Sequence, residues 1–401
     1  MMEVVLHDYA PWRTSLLPLS YTRPVGNLRV GVLTLQEKWR LLLDADVSYY
    51  TEPYLQLKFQ SPLGGQASSY LVIRANICPD LAFVEALKQL PVGVCLQQDG
   101  DWLAYHTERW LAEPDSPSLT RVSYPDRLDV LHFPEDIFLK NAKQIQFDYD
   151  LLTSSKVSQS IPESNVHIGS DLFVGKGVQV ECCTFNSSQG PIFIDDDVLI
   201  EEGSHLKGPI AIGKGARVKM GSRIYPNVSI GPGSTIGGEV GHTVLWGYSA
   251  KGHDGYLGCA VLGEGCNVGG GSTNSNLQNN WKNVSLYDYT TASYRATRAL
   301  KVGFFMGDYA MCGINSSITT GTMIGVGAQV AVSNIIPKFV ADFMWLTDMK
   351  TEGYCWDKFA EMMKQRALHS GHPQEDGSLD ILYEVFLRSK KQREDFIKQT
   401  K

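Results

Sequence analysis

Apolar residues recur at every sixth position through the middle and later part of the chain. Ile194, Ile200, Leu206, Ile212, Val218, Ile224, Ile230 and Ile236 keep that step without a break. An upstream set, Ile168, Val174 and Val180, and a downstream set, Met306, Cys312, Ile318, Ile324 and Val330, continue it, with Leu262 and Val268 between them. Glycine follows many of these positions, as at Gly213, Gly231 and Gly325. A step of six matches neither the period of a helix nor the alternation of a hairpin strand. It suits short strands that each turn one apolar side chain inward and are separated by sharp, glycine-assisted bends. The pattern predicts a parallel β-solenoid whose stacked coils bury an aliphatic column.

Two stretches depart from the step. After Ile236 the clean hexads give way to G-G-E-V-G-H-T-V-L-W-G-Y-S-A-K-G-H-D-G-Y-L-G, and the step resumes at Leu262. Residues 274–303 are polar and too long for a corner. Insertions in solenoids form loops on one face, often the binding face. Residues 1–150 lack the step. There V-V-L at 4–6 and Y-L-V-I-R-A-N at 70–76 read as strands, while 35–43 and 80–90 have helical spacing, the latter starting at an Asp cap. This alternation predicts an α/β layer fold with a partly parallel sheet. The expected units are a front domain over 1–152, a polar linker over 153–164, the solenoid over 165–336 and a helical tail over 337–401 that covers the solenoid's open end.

Composition narrows the function classes. With 401 residues and 43% hydrophobic content the chain can fill two domains. A net charge of −7 provides no basic field for a phosphate backbone or an anionic membrane, so neither nucleic acid nor membrane is an expected partner. The first residues lack a basic segment followed by an apolar core, and no stretch approaches the roughly eighteen apolar residues of a membrane span. The expected location is the cytoplasm. The eight cysteines form no C-x-x-C pair, which indicates reduced thiols rather than a disulfide framework or a metal site.

The hexads resemble the repeat of left-handed β-helix acyltransferases, which implies a triangular prism with three hexads per coil. The run K-G-H-D-G-Y-L-G-C-A-V-L-G-E-G-C-N-V-G-G-G-S-T-N-S-N is similar to the acetyltransferase site of the bifunctional bacterial family that acetylates glucosamine 1-phosphate and uridylylates the product. The whole chain resembles the shortened, Bacteroidetes-type variant of that family more closely. The resemblance implies that His253 is the base that deprotonates the acceptor amine. Histidine suits this because its pKa lies near the working pH, with Asp254 a local candidate to tune it. Tyr256, Asn267 and Asn276 fall at the family's spacing and would hold the acceptor. Lys219, Lys251 or Arg295 would meet its phosphate. Coil contacts near Ile314 and Val332 would bind acetyl-CoA in a homotrimer. The family's E-V-x-K lysine is missing, because this chain reads Glu239-Val240-Gly241-His242.

The front segment L-L-P-L-S-Y-T-R-P-V at 16–25 resembles sugar-nucleotide pyrophosphorylases. It departs from them in three ways: no glycine lies in 8–16, Val25 follows Arg23-Pro24, and Asn76 stands where an Asp is usual. Arg13 and Arg23 would contact nucleotide phosphate there, with UTP as substrate and magnesium required only if this domain is active. The expected fold is thus an α/β nucleotidyltransferase-like domain, then a left-handed parallel β-helix, then a helical tail. The expected activity is acetyl transfer to an amino-sugar phosphate, with uridylyl transfer as a second activity. Two alternatives stay open: a sugar-1-phosphate nucleotidyltransferase with a structural β-helix, and a non-catalytic regulatory or scaffold protein.

Overall fold

The computed structural model describes residues 2–62, 67–113, 118–370, 372 and 375–400. The front domain is built on a six-stranded sheet in the order Val47–Tyr50, Met2–His7, Ser69–Arg74, Asp101–Thr107, Val94–Gln98 and Thr120–Ser123. The first three strands are parallel, and Asp101–Thr107 runs antiparallel to both of its neighbours. Helix α1 (Leu35–Leu43) starts at a reciprocal capping box between Thr34 and Glu37. Helix α2 (Leu81–Lys88) starts where the Asp80 carboxylate accepts from the Phe83 N–H at 2.7 Å.

Helix α3 (Pro134–Thr153) joins the front domain to the solenoid and belongs to both. Its Asn141 Oδ1 accepts from the Gly31 N–H of the front domain at 2.7 Å and from the Ser229 hydroxyl of the solenoid at 2.9 Å. Its Asp148 carboxylate is fully buried, pairs with Lys38 at 3.0 Å and accepts the Val32 N–H at 2.8 Å. The Asn227 side chain of the solenoid donates to the Phe138 carbonyl at 2.8 Å.

From Val166 to Thr347 the strands of the solenoid pair in parallel with the strand one coil further on, with one break on the third face between Tyr256–Gly258 and Thr273–Asn274. Ile194, Ile212 and Ile230 are in register on one face, Ile200, Val218 and Ile236 on the second, and Leu206, Ile224 and Val240 on the third. Successive hexads thus occupy successive faces of a three-sided prism. All nine of these side chains are buried, each contributing about 1.5–3 kcal/mol of transfer free energy.

Three details differ from the sequence expectation. Ile168 is 47% exposed, because His167 is the register partner of the inward Phe185 and a one-residue offset turns Ile168 outward. The first interruption is not an extruded loop. Its residues form shortened coils through Glu239–Gly241, Thr243–Gly247, Ala250–Lys251 and Tyr256–Gly258. The solenoid also runs past 336, through Phe339–Val340 to Met344–Thr347. Ile324 pairs with Val340, sixteen residues on, so this coil is shorter than three hexads and falls out of the six-residue step. The second interruption does leave the prism, as a hairpin of Ser285–Asp288 and Ser293–Ala296.

The tail comprises α4 (Trp356–His369), α5 (Ser378–Arg388) and α6 (Lys390–Thr400). Phe359 and Phe386 place their rings 4.9 and 5.4 Å from that of Phe343, covering the last coil. The tail also reaches the front domain through Lys58–Glu375 at 2.6 Å and Arg388–Glu52 at 3.3 Å. Among the described residues no helix is long and apolar enough to cross a membrane.

Candidate active site

Register alignment brings several of the singled-out residues to one edge of the prism. Ala250, Asn267, Met311 and Gln329 are successive register partners. Three residues beyond each, at the same corner of four successive coils, stand His253, Gly270, Ile314 and Val332. Three coil steps span about 14 Å at about 4.8 Å per step. His253 is exposed, and no group among the described residues hydrogen-bonds its ring, Asp254 included. A Cβ on Gly270 would lie 3.4 Å from the His253 Cβ, so glycine leaves the edge open beside the imidazole. The turn after His253 requires Gly255, whose φ is +123° and whose added Cβ would fall 2.0 Å from the Ser272 carbonyl oxygen. Ile314 is 74% exposed on the same edge, while Asn267 is exposed on the face that leads into it.

Around this corner the chain enters a cleft of about 690 Å³ between α3 and the solenoid. Phe138 and Leu139 of α3 form one wall, and Tyr225, His242, Tyr256, Asn276 and Lys301 lie on the solenoid side. The Asn276 amide donates to the Tyr256 hydroxyl at 2.9 Å and to the Cys259 sulfur at 3.4 Å. Burial raises the pKa of Tyr256, which keeps its hydroxyl protonated. Burial and the charge of Lys301 lower the pKa of His242, favouring the neutral ring.

The basic residues assigned to phosphate are placed differently from expectation. Lys251 is buried, and its ammonium group donates to the carbonyl of Gly237 at 3.2 Å and to that of His253. It therefore holds the turn that carries His253 instead of facing a ligand. Lys219 lies two coils earlier at the same corner and pairs with Glu201 at 3.0 Å, a carboxylate that also binds Arg217 and the Met220 N–H. Arg295, in the excursion, makes a bidentate pair with Glu135 of α3 at 2.7 and 2.6 Å and stacks on Phe133. Arg13 is buried against Asp8 at 3.1 Å and donates to the Ser20 and Arg23 carbonyls. Arg23 leaves its own domain. It pairs with Glu264 at 2.8 Å and Asp308 at 2.5 Å and stacks on Trp246 at 3.8 Å, all three on the solenoid.

Magnesium with a triphosphate requires free carboxylates and donors aimed into a cavity. Asp8 is committed to Arg13 and to the Val25 N–H at 2.6 Å, and Asp80 caps α2. Asn76, where an acid would be expected, donates to the Leu131 carbonyl. The residues present do not fit that group.

Residues 4–157 match the family model described as sugar nucleotidyl transferase. Among solved structures the chain is similar to an Arabidopsis UDP-N-acetylglucosamine acyltransferase, at 11% identity over 58% of this chain and 96% of that one, with a TM-score of 0.22. It is also similar to a hexapeptide transferase family protein from Anaplasma phagocytophilum, at 11% identity over 53% and 87% of the two chains, with a TM-score of 0.15. No curated protein matches it. The sugar nucleotidyl transferase match covers the front domain and α3, so it spans the two arginines whose charges are committed internally.

Sequence reasoning passed over Tyr225 and Lys301 and found no company for His242. Tyr225 sits at a corner and Lys301 at the end of the excursion, outside any motif spacing. Their common location is visible only through strand register. Lys251 has a measurable signature of its own. Burial lowers its pKa to about 8, with the nearby Asp254 opposing the shift. The unfolded chain therefore binds more protons than the folded one between about pH 8 and the ordinary lysine value, and stability rises with pH across that window. Lys251→Met is expected to flatten this slope in urea unfolding followed from pH 8 to 10. An unchanged slope would mean that Lys251 does not titrate as placed.

Proposed function

We propose that this chain transfers the acetyl group of acetyl-CoA to the amine of an amino-sugar phosphate, with glucosamine 1-phosphate as the acceptor. The observation that carries this reading is the shared edge of His253, Ile314 and Val332, next to the cleft that holds the Tyr256–Asn276 pair. An extended thioester lying along the edge past Val332 and Ile314 would end at His253, and an acceptor in the cleft would approach from the adjacent face. His253 takes the proton from the ammonium group and the freed amine attacks the thioester carbonyl. The C–N bond then forms, the C–S bond breaks, the acylated nitrogen's second proton passes to the sulfur and coenzyme A leaves as the thiol. Tyr256, Asn276 and Asn267 hold hydroxyl groups of the acceptor, while backbone N–H groups of the later coils meet the thioester oxygen. Assembly as a homotrimer, with a neighbour closing the exposed edge, belongs to the same reading and is tested by light scattering.

Incubation with glucosamine 1-phosphate and acetyl-CoA is expected to release free thiol that depends on both substrates. A parallel reaction with N-acetylglucosamine 1-phosphate, UTP and magnesium tests the second reading, nucleotidyl transfer by residues 4–157, which the family match favours. Pyrophosphate release without thiol release would establish that second reading in place of the first. No product in either reaction would leave a scaffold role for both domains.

A further inference from the structure

We propose that Lys301 is the anion-recognising group of the cleft between α3 and the solenoid, and that the ligand bound there is a small sugar carrying a compact anion such as phosphate. The proposal rests on the reading of Tyr256 and Asn276 as acceptor-binding residues. Three observations carry it.

The first is placement. The excursion of residues 275–302 closes on itself where Leu277 bridges Lys301 and the Val302 N–H donates to the Asn276 carbonyl at 2.8 Å. This stem sets Lys301 beside Asn276, although 25 positions separate them in sequence.

The second is charge. Lys301 is exposed to the cleft and has no carboxylate within ion-pair distance among the described residues. Glu239, the acid on the cleft wall, faces Arg223 at 3.8 Å. Lys219, Lys251, Arg295, Arg13 and Arg23 are all held by internal partners. Burial and Lys301 itself favour the neutral form of His242, so among the described residues that line the cleft Lys301 is the cation left without a partner.

The third is the rest of the lining. Tyr225 is 46% exposed and offers an aromatic face to the C–H groups of a sugar ring. The Tyr256–Asn276 pair offers donors and acceptors to its hydroxyls. A volume of about 690 Å³ suits a small ligand rather than a polymer.

The test is calorimetric titration of the full-length protein with glucosamine 1-phosphate and, separately, with glucosamine. The wild type is expected to bind the phosphate ester at least about tenfold more tightly. Lys301→Met is expected to bring the two affinities together without changing the melting temperature, and Lys301→Arg to retain part of the preference. A preference that survives in Lys301→Met overturns the proposal, as does a wild type that binds neither compound or does not discriminate between them. The thiol assay separates this outcome from the proposed activity. Phosphate-dependent binding that needs Lys301 but yields no thiol sustains the anion site and removes acetyl transfer. Thiol release with a KM that Lys301→Met leaves unchanged sustains the activity and removes the anion site.

Discussion

His253→Ala is expected to lower thiol release from acetyl-CoA with glucosamine 1-phosphate by about 10²–10⁴-fold, with the unfolding temperature unchanged. The separation of the two effects follows from how the residue is held. His253 is exposed and its ring makes no hydrogen bond among the described residues, so removing the ring costs the fold little. What Lys251 grips is the His253 backbone carbonyl, which alanine retains. Activity, in the proposed reading, depends on the His253 imidazole beside the thioester edge. His205→Ala is the matched control, since that exposed ring lies outside both the cleft and the edge with Ile314 and Val332. Equal loss in the two variants, or an activity that persists in His253→Ala, would remove His253 from the role of base.

Arg23→Met is expected to produce the largest loss of stability, about 3–5 kcal/mol in urea unfolding at pH 7. Arg23 is 3% exposed and supplies the counter-charge for two buried carboxylates, Glu264 and Asp308. Methionine would fill part of the volume and leave both acids without it. The stacking on Trp246, worth about 0.5–2 kcal/mol, is lost as well.

The effect has a pH signature. Burial opposes the charged form of Glu264, but the hydrogen bond with His372 and the charge of Arg23 outweigh it and lower its pKa below the ordinary carboxylate range. A carboxylate with a lowered folded pKa contributes stability above its unfolded value, and that contribution disappears as pH falls through the folded value. In Arg23→Met much of this contribution is already missing at neutral pH. The gap between wild type and variant should therefore narrow as pH falls below the ordinary glutamate value of 4.5 toward the lowered folded value. A gap that stays constant over this range would assign the loss to packing alone.

The contrast between these two residues bears on what the front domain does. Arg23 follows a sequence pattern associated with nucleotide phosphate, yet its guanidinium is the pin that fastens the front domain to the solenoid. Thr22 reinforces it by donating to the same Asp308 carboxylate. The family match over 4–157 spans the same segment. Arg23 and Thr22 attach the domain to the solenoid, while Arg13 and Asp8 pair with each other inside it.

Much of the fold was readable along the chain because its determinants are local or periodic. The six-residue apolar step specified the inward column, and Ile194 through Ile236 occupy it without exception. Helical spacing over 35–43 and the Asp80 cap placed α1 and α2 within a residue or two. Where coil length changed the step was lost, so the final coil at Phe339–Thr347 could not be seen in it. The site was readable in part. The family resemblance singled out His253, Tyr256 and Asn276, but could not tell which side of the corner each would occupy.

The fate of the charged residues was decided by tertiary structure alone. Side chains such as Lys251, Arg23 and Arg295 are long, and their partners lie on elements distant in sequence, so residue type leaves open whether each meets a ligand or a carbonyl inside the protein. Burial settles the matter, since a charge removed from water must find compensation close by. For Lys251 it is a pair of backbone carbonyls, for Arg23 two solenoid acids, and for Arg295 a glutamate on α3. Lys301, carried into the cleft by the excursion that closes there, has no paired carboxylate among the described residues. The pattern along the chain determined the prism and the corner where His253 stands, whereas chain packing determined which positive charges are held inside the protein.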